Sequence, residues 1–184
     1  MSGHGDEEIL ELFRSQEAGA KRLAFNLIFR KYHEQVYQVI RRMVIDHDDT
    51  DDLVQNTFVS IWNNLDGFRE ESKLFTWIYR IATNEALGFL KKKRKRFFLP
   101  IADVEAELSG KLEHHSYFNT NRAELKLHQA ILKLPPRQRL VFQLRYFDEM
   151  KYEDISTMLG TSTGALKASY HHAAAKVEKF ILEQ

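Results

Sequence analysis

Proline occurs at three places only, Pro100, Pro135 and Pro136. Inside a helix a proline removes a backbone hydrogen bond and clashes with the preceding turn. Its absence before Pro100 and after Pro136 leaves two long stretches open to continuous helix. Glycine, the other strong helix breaker, appears eight times in 184 residues. At roughly 150 residues per domain, this length allows one domain or two small ones. The punctuation predicts an all-α chain of two small helical domains, residues 6–96 and 123–184, joined by a flexible linker over 97–122.

Composition narrows the function classes. With 29% charged and 43% hydrophobic residues, the chain can bury a core, which excludes wholesale disorder. The absence of cysteine excludes a disulfide scaffold, a Cys-ligated zinc finger and a thiol nucleophile, and fits a reducing cytosol. No apolar run approaches the ~18 residues that span a bilayer. The acidic opening Met1–Glu8 lacks the basic and apolar regions of a signal peptide. The expectation is a cytoplasmic protein with no membrane insertion. Net charge is only +1, but it is unevenly spread. Basic residues exceed acidic ones over 23–96 and over 123–184, whereas acids exceed bases over 1–22 and over 97–122.

Apolar residues recur at helical spacing through most of the chain. Ile9, Leu10, Leu12 and Phe13 mark a short amphipathic helix over 6–15. Leu23, Leu27, Ile28, Val36, Val39, Ile40 and Met43 mark a longer one from Ala20 to Ile45. The acidic run Asp46–Asp52 interrupts the pattern. Asp52 is expected to cap the next helix, whose stripe is Leu53, Val54, Phe58, Ile61, Trp62 and Leu65. Asp66-Gly67-Phe68-Arg69 reads as a turn, and a fourth helix follows from near Ser72 through Leu74, Ile78 and Ile81 to Lys95. After the linker, Leu125, Leu127, Ile131 and Leu134 form one stripe. Pro136 suits the first turn of a helix over 137–147. The last two helices, from Tyr152 to Leu159 and from Thr163 onward, are separated by Gly160-Thr161-Ser162. Gly160 is placed to end one helix in a left-handed cap, and Ser162 or Thr161 to start the other. Two helices joined by so tight a turn carry the helix–turn–helix signature.

Three features carry chemistry. The exposed side of the last helix offers Thr163, Lys167, Ser169, His171, His172 and Lys176, donors suited to base edges and phosphates. A helical hairpin that only supports a bundle has the same pattern. Lys91 through Arg96 are six consecutive cations, which favour a polyanion with salt-sensitive affinity, although a solvated helix end also tolerates them. Just before that run, Trp77, Arg80 and Asn84 share one helix face beside the stripe of Leu74, Ile78 and Ile81. An aromatic plane, a cation and an amide suit unpaired bases better than an intact duplex, while core packing is the competing role for Trp77.

Catalytic and metal chemistry find no support. The phosphate-loop, dinucleotide, zincin and nucleophile-elbow patterns do not occur. The acidic run fails as a calcium loop, because counting from Asp46 its sixth position is Asp51 and its twelfth Thr57. Adjacent histidines, His114-His115 and His171-His172, point apart on a helix and do not share a metal. The reading is a non-enzyme without metal or cofactor.

Several segments together resemble a known family. Asp52-Leu53-Val54-Gln55-Asn56-Thr57-Phe58, Leu65-Asp66-Gly67-Phe68-Arg69 and Phe75–Asn84 resemble the second conserved domain of bacterial RNA polymerase sigma factors of the two-domain, extracytoplasmic-function group. Leu134–Arg139, Tyr152-Glu153-Asp154-Ile155 and Gly164-Ala165-Leu166-Lys167 resemble the family's fourth domain, and the segments keep the family's order. The resemblance implies an initiation subunit that binds RNA polymerase core, recognises promoter DNA and opens it. It implies that Asp52, Leu53, Gln55 and Asn56 dock on the polymerase clamp, although members often have glutamate where this chain has Asn56. It assigns Phe68, Trp77, Arg80 and Asn84, with Lys91 and Lys92, to the downstream promoter element and its flipped base. It assigns Arg145, Thr163, Lys167, Ser169, His171 and His172 to the upstream element. Many members carry arginines where this chain has Ser169, His172, Ala174 and Ala175, so fewer phosphate contacts and a shallower salt dependence are expected here. The linker would thread toward the polymerase active-site and RNA-exit channels, its acidic balance imitating nucleic acid. An anti-sigma factor is the further partner the resemblance implies. A free-standing helix–turn–helix transcriptional regulator, which would normally dimerise on paired half-sites, remains the alternative, and an all-α scaffold or enzyme a more distant one.

Overall fold

The computed structural model describes residues 5–15, 17–96, 110 and 122–183, and for Arg94–Arg96 the helical backbone alone. The expected linker over 97–122, apart from Gly110 and Arg122, lies outside the described residues, as do Met1–His4 and His114-His115. Among the described residues the regular structure is eight α-helices and one short 3-10 turn. They are α1 (Asp6–Arg14), α2 (Ala20–Val44), α3 (His47–Asn64), the turn Leu65–Gly67, α4 (Leu74–Arg96), α5 (Arg122–Leu132), α6 (Pro136–Tyr146), α7 (Tyr152–Leu159) and α8 (Thr163–Leu182).

The stripes predict most of these helices to within a residue or two, and their ends have local causes. Gly160 takes φ 62°, a left-handed cap that costs a glycine nothing, and its N–H donates to the Ser156 carbonyl at 2.9 Å. Ser162 Oγ accepts the Ala165 N–H at 3.3 Å and opens α8. Pro136 occupies the first turn of α6, where its missing N–H is no loss.

The start of α3 differs from expectation. The cap is Asp46, not Asp52, and its carboxylate accepts the Asp49 N–H at 3.0 Å. The acidic run is the first turns of the helix, not a break before it. Asp48 and Asp49 lie where the positive end of the helix dipole favours anions, and Thr50, whose Oγ1 donates to the Asp46 carbonyl at 2.5 Å, is buried. The bend between α2 and α3 is made at Ile45, which holds φ 65° while almost fully buried. A β-branched residue in the left-handed region is strained, and its burial offsets that cost.

Helices α1–α4 surround a core of Ile28, Val36, Val39, Ile40, Phe58, Ile61, Leu65 and Ile78. Asp6 fastens α1 to α2, accepting from the Tyr32 hydroxyl at 2.5 Å and from Lys31 Nζ at 2.7 Å. In the second half, Ala130, Ile131, Leu134, Phe142, Ala173 and Val177 make a smaller core between α5, α6 and α8. Arg139, itself buried, donates to the carbonyls of Leu132 and Leu134 and ties the turn before α6. The other apolar side of the second half, including Leu140, Leu144, Met150, Ile155 and Met158, joins the core of the first.

Candidate nucleic-acid interface

Asp52, Gln55 and Asn56 stand on the solvent side of α3, three and four residues apart, so they share one face. Leu53 does not stand with them. It is 5% exposed and packs in the core, because one residue further along a helix turns the side chain by about 100°. Its assignment to a docking face is corrected: it anchors the helix that presents the face. The face continues through two residues that the sequence reading left in the apolar stripe or passed over, Val59 (59% exposed) and Trp62 (36%). Trp62 rests edge-on against Phe25 with centroids 5.2 Å apart, and Lys21 Nζ lies 4.7 Å from its ring. An apolar residue at the i+4 position from Gln55, on the polar side of the helix, was the available signal for Val59.

The loop between the 3-10 turn and α4 encloses a cavity of about 420 Å³. Its wall is Gly67, Phe68, Arg69, Glu71, Ser72, Trp77 and Arg80, with Thr157 contributed by α7. Phe68 N–H donates to the Leu65 carbonyl at 3.0 Å, which turns the ring back toward α4. There it meets Trp77, with centroids 5.1 Å apart and planes 46° apart. Trp77 is only 8% exposed, so it does not project as a free stacking platform. The apolar face of α4 is wide enough to include it, and the ring is part core and part cavity wall. Arg80 is exposed at the cavity edge, and Asn84 is exposed a turn further along α4. Lys91 and Lys92 are exposed at the far end of the helix, while Lys93 reaches Asp49 at 3.4 Å.

In the second half, α7 and α8 form the helix–turn–helix. Lys167, His171 and His172 are exposed on α8, and Thr163 is half-buried in its first turn. Arg145 is held by local structure. It donates to the carbonyls of Glu149 and Met150 at 3.2 Å each and lies 5.2 Å from the Tyr152 ring, with Lys167 on the same ring at 5.8 Å. It therefore ties the α6–α7 turn and brings a second cation beside Lys167. Ser169 faces inward. It lines a second cavity, of about 210 Å³, whose wall also includes Asn84, Arg137 and Thr161. Asn84 and Ser169, assigned by resemblance to two different promoter elements, thus line one shared cleft. Among the described residues no cluster of His, Asp and Glu could hold a metal, and no helix is long and apolar enough to cross a membrane.

Among the described residues, eight helices ending in a helix–turn–helix, with a loop-lined cavity beside a cationic helix, define an all-α architecture of the kind that DNA-binding proteins use. Two family descriptions match the chain, Sigma-70 region 2 over residues 28–96 and Sigma-70, region 4 over residues 124–177. The RNA polymerase sigma-H factor of Pseudomonas aeruginosa is 31% identical over 183 residues, 94% of this chain and 93% of the relative. The ECF RNA polymerase sigma factor SigW of Bacillus subtilis is 28% identical over 85% of this chain and 88% of its own. CnrH, solved in complex with the cytosolic domain of CnrY, shares the fold with a TM-score of 0.70 at 21% identity, covering 97% of each chain. The chain belongs to the RNA polymerase sigma factors, in their extracytoplasmic-function group. It acts in promoter-directed initiation of transcription, and the alternative of a self-standing regulator is not favoured.

Proposed function

We propose that the two halves divide the work of initiation. Residues 6–96 dock on core polymerase through Asp52, Gln55, Asn56, Val59 and Trp62, and hold the downstream promoter element at Phe68, Trp77, Arg80 and Asn84. Residues 123–184 read the upstream element through Thr163, Lys167, Ser169, His171 and His172, with Arg145 bracing the motif, and 97–122 joins the two. Lys91 and Lys92 supply phosphate contacts, which position the strand without reading its sequence.

The observation that supports this reading best is the 420 Å³ cavity walled by Phe68, Trp77 and Arg80. Opening a duplex means unstacking bases, at a few kcal/mol for each base flipped. A prepared cavity lined by an aromatic pair, a guanidinium and a hydroxyl returns part of that cost, because a flipped base finds stacking and hydrogen-bond partners already in place. The protein on this reading is a non-catalytic subunit that acts in the cytoplasm. CnrH was solved with CnrY, and an anti-sigma factor is proposed as a partner of this chain too.

The test is reconstituted transcription with purified core on the template the holoenzyme selects from genomic DNA. Asn84→Ala lowers open-complex formation about tenfold with core affinity unchanged, the loss of about 1.4 kcal/mol expected of a base-edge contact. Undiminished promoter opening by the variant overturns the assignment of Asn84.

A further inference from the structure

The loop that walls the 420 Å³ cavity has little of its own to hold it. Among the described residues, the backbone of residues 69–72 makes no backbone-to-backbone hydrogen bond. The nearest ones, from Phe68 N–H to the Leu65 carbonyl and from Trp77 N–H to the Lys73 carbonyl, lie on either side of it. In its middle Glu70 holds φ 59°, in the left-handed region that disfavours a residue with a side chain. A segment without a backbone ladder keeps one path only if its side chains fasten it.

Two of its side chains are fastened by the start of the fold. Arg14, in the last turn of α1, donates through Nη2 to Glu70 Oε1, 56 positions away in the chain. Lys21, in the first turn of α2, donates to Asp66 Oδ2 at 2.5 Å, at the turn where the loop begins. Arg14, Lys21 and Asp66 border one cleft, so both ties act from the same side. Helix α1 is itself anchored, since Ile9 and Leu10 are buried and Asp6 accepts from Tyr32 and Lys31 of α2. The second half rests on the first at Arg42 and Asp148, 2.6 Å apart, and adds a third tie, from Lys73 to Asp154 at 3.0 Å. The first two ties need nothing from the second half.

Resting on the assignment of this cavity to the downstream promoter element, we propose that α1 braces the loop that receives the flipped base. Arg14 and Glu70 are positioning residues for promoter opening, with Lys21 and Asp66 in support. They touch no base, and they hold the loop in the shape that takes one. An exposed ion pair adds little to the stability of a whole fold. Against a loop with no ladder, the same small contribution sets the fraction of molecules that present a formed cavity, and capture of a base is weakened by that fraction.

Charge reversal in the full-length protein, assayed with core polymerase, tests the brace. Arg14→Glu sets two carboxylates against each other and slows open-complex formation about fivefold, with core affinity and melting temperature unchanged. Glu70→Arg sets two cations together and slows it by a similar factor. Arg14→Glu combined with Glu70→Arg restores the pair in reverse and returns opening to within about twofold of wild type. The opposed charge changes separate the brace from a direct contact with DNA, because a phosphate contact by Arg14 makes Glu70→Arg open faster, not slower. Raising the salt concentration narrows the gap between each single variant and wild type, as screening of an exposed pair requires. Opening at the wild-type rate by both single variants, or a double variant no better than either, overturns the brace. Phe68→Ala is the control for the reading beneath it. If that variant opens promoters as well as wild type, the cavity assignment itself fails. A defective Phe68→Ala beside unimpaired Arg14→Glu and Glu70→Arg removes only the brace.

Discussion

The two halves solve the problem of a small helical core differently. The first surrounds its core with four helices, with Ile28, Val36, Ile40, Ile61 and Ile78 all without exposed surface, and leaves one side of that core to be covered by the second half. The second has short helices and divides its apolar residues between a six-residue core and the face that rests on its neighbour. A small unit buries a smaller fraction of its surface, so it is the half with less to hold it. The same division separates their surfaces. The first half carries a cavity and an exposed apolar patch at Val59 and Trp62, whereas the second offers one exposed helix with few cations.

The sharpest test of this contrast is a matched truncation. Ile61→Ala and Ile131→Ala remove the same atoms at 0% and 1% exposure. Isoleucine-to-alanine changes in cores cost about 2–5 kcal/mol, and the value depends on how far the site can collapse. Ile61, enclosed by helices on all sides, falls at the upper end, and Ile131, in the smaller cluster, at the lower. Urea unfolding that gives equal costs breaks the contrast.

The docking face comes next in size. Val59→Arg with Trp62→Ala lowers core-polymerase affinity by about 2–4 kcal/mol, the range for an aromatic anchor lost from an interface centre, while the melting temperature barely moves. Asp52→Arg with Gln55→Ala acts in the same direction through charge and hydrogen bonding. A titration of labelled core that shows unaltered affinity for both variants removes the face from the proposal.

How much of this was legible follows from how local each cause is. The helices, the Gly160 turn and the Ser162 cap come from spacing and from residues acting on their immediate neighbours, which a one-dimensional pattern records. The start of α3 was misjudged because five aspartates carry no apolar signal, although their charge suits a helix N-terminus well. Leu53 belongs to the core, and Trp77 to both core and cavity wall, for one shared reason: a motif names a stretch of residues, while the helix divides that stretch between face and core. Arg145 was visible as a cation but not as the residue that ties the α6–α7 turn. The Arg42–Asp148 pair joins residues 106 positions apart, and nothing near either one announces the other.

The second half should also answer to acid more than the first. His128 is buried against Phe147, their rings parallel within 7° and 5.6 Å apart. Burial, helped by Arg42 and opposed by Glu124, lowers its pKa from 6.5 to about 4. Folded protein thus resists the proton that the unfolded chain accepts. The penalty is absent above pH 6.5, where both states are neutral, and grows as the pH falls toward 4, to roughly 3 kcal/mol. Subtracting the same curve for His128→Phe removes the carboxylates common to both proteins. Thermal unfolding between pH 7 and 4.5 then isolates the histidine, and parallel curves for the two proteins contradict the assignment.

The smallest effects lie at the helix starts, where the halves again differ. Asp46 accepts its capping N–H at 3.0 Å with a charged oxygen, and Ser162 accepts at 3.3 Å with a neutral one. Loss of a cap costs about 0.5–2 kcal/mol. Charge adds to the favourable side at a helix N-terminus, but Asp48 and Asp49 crowd the same turn and repel it. Asp46→Ala therefore loses about 1 kcal/mol and Ser162→Ala about half that. Asp46→Asn separates the two contributions, since it keeps the acceptor and removes the repelling charge. Stability equal to wild type at low salt means that dipole and repulsion cancel. A loss as large as that of alanine means that the charge, not the hydrogen bond, opens α3.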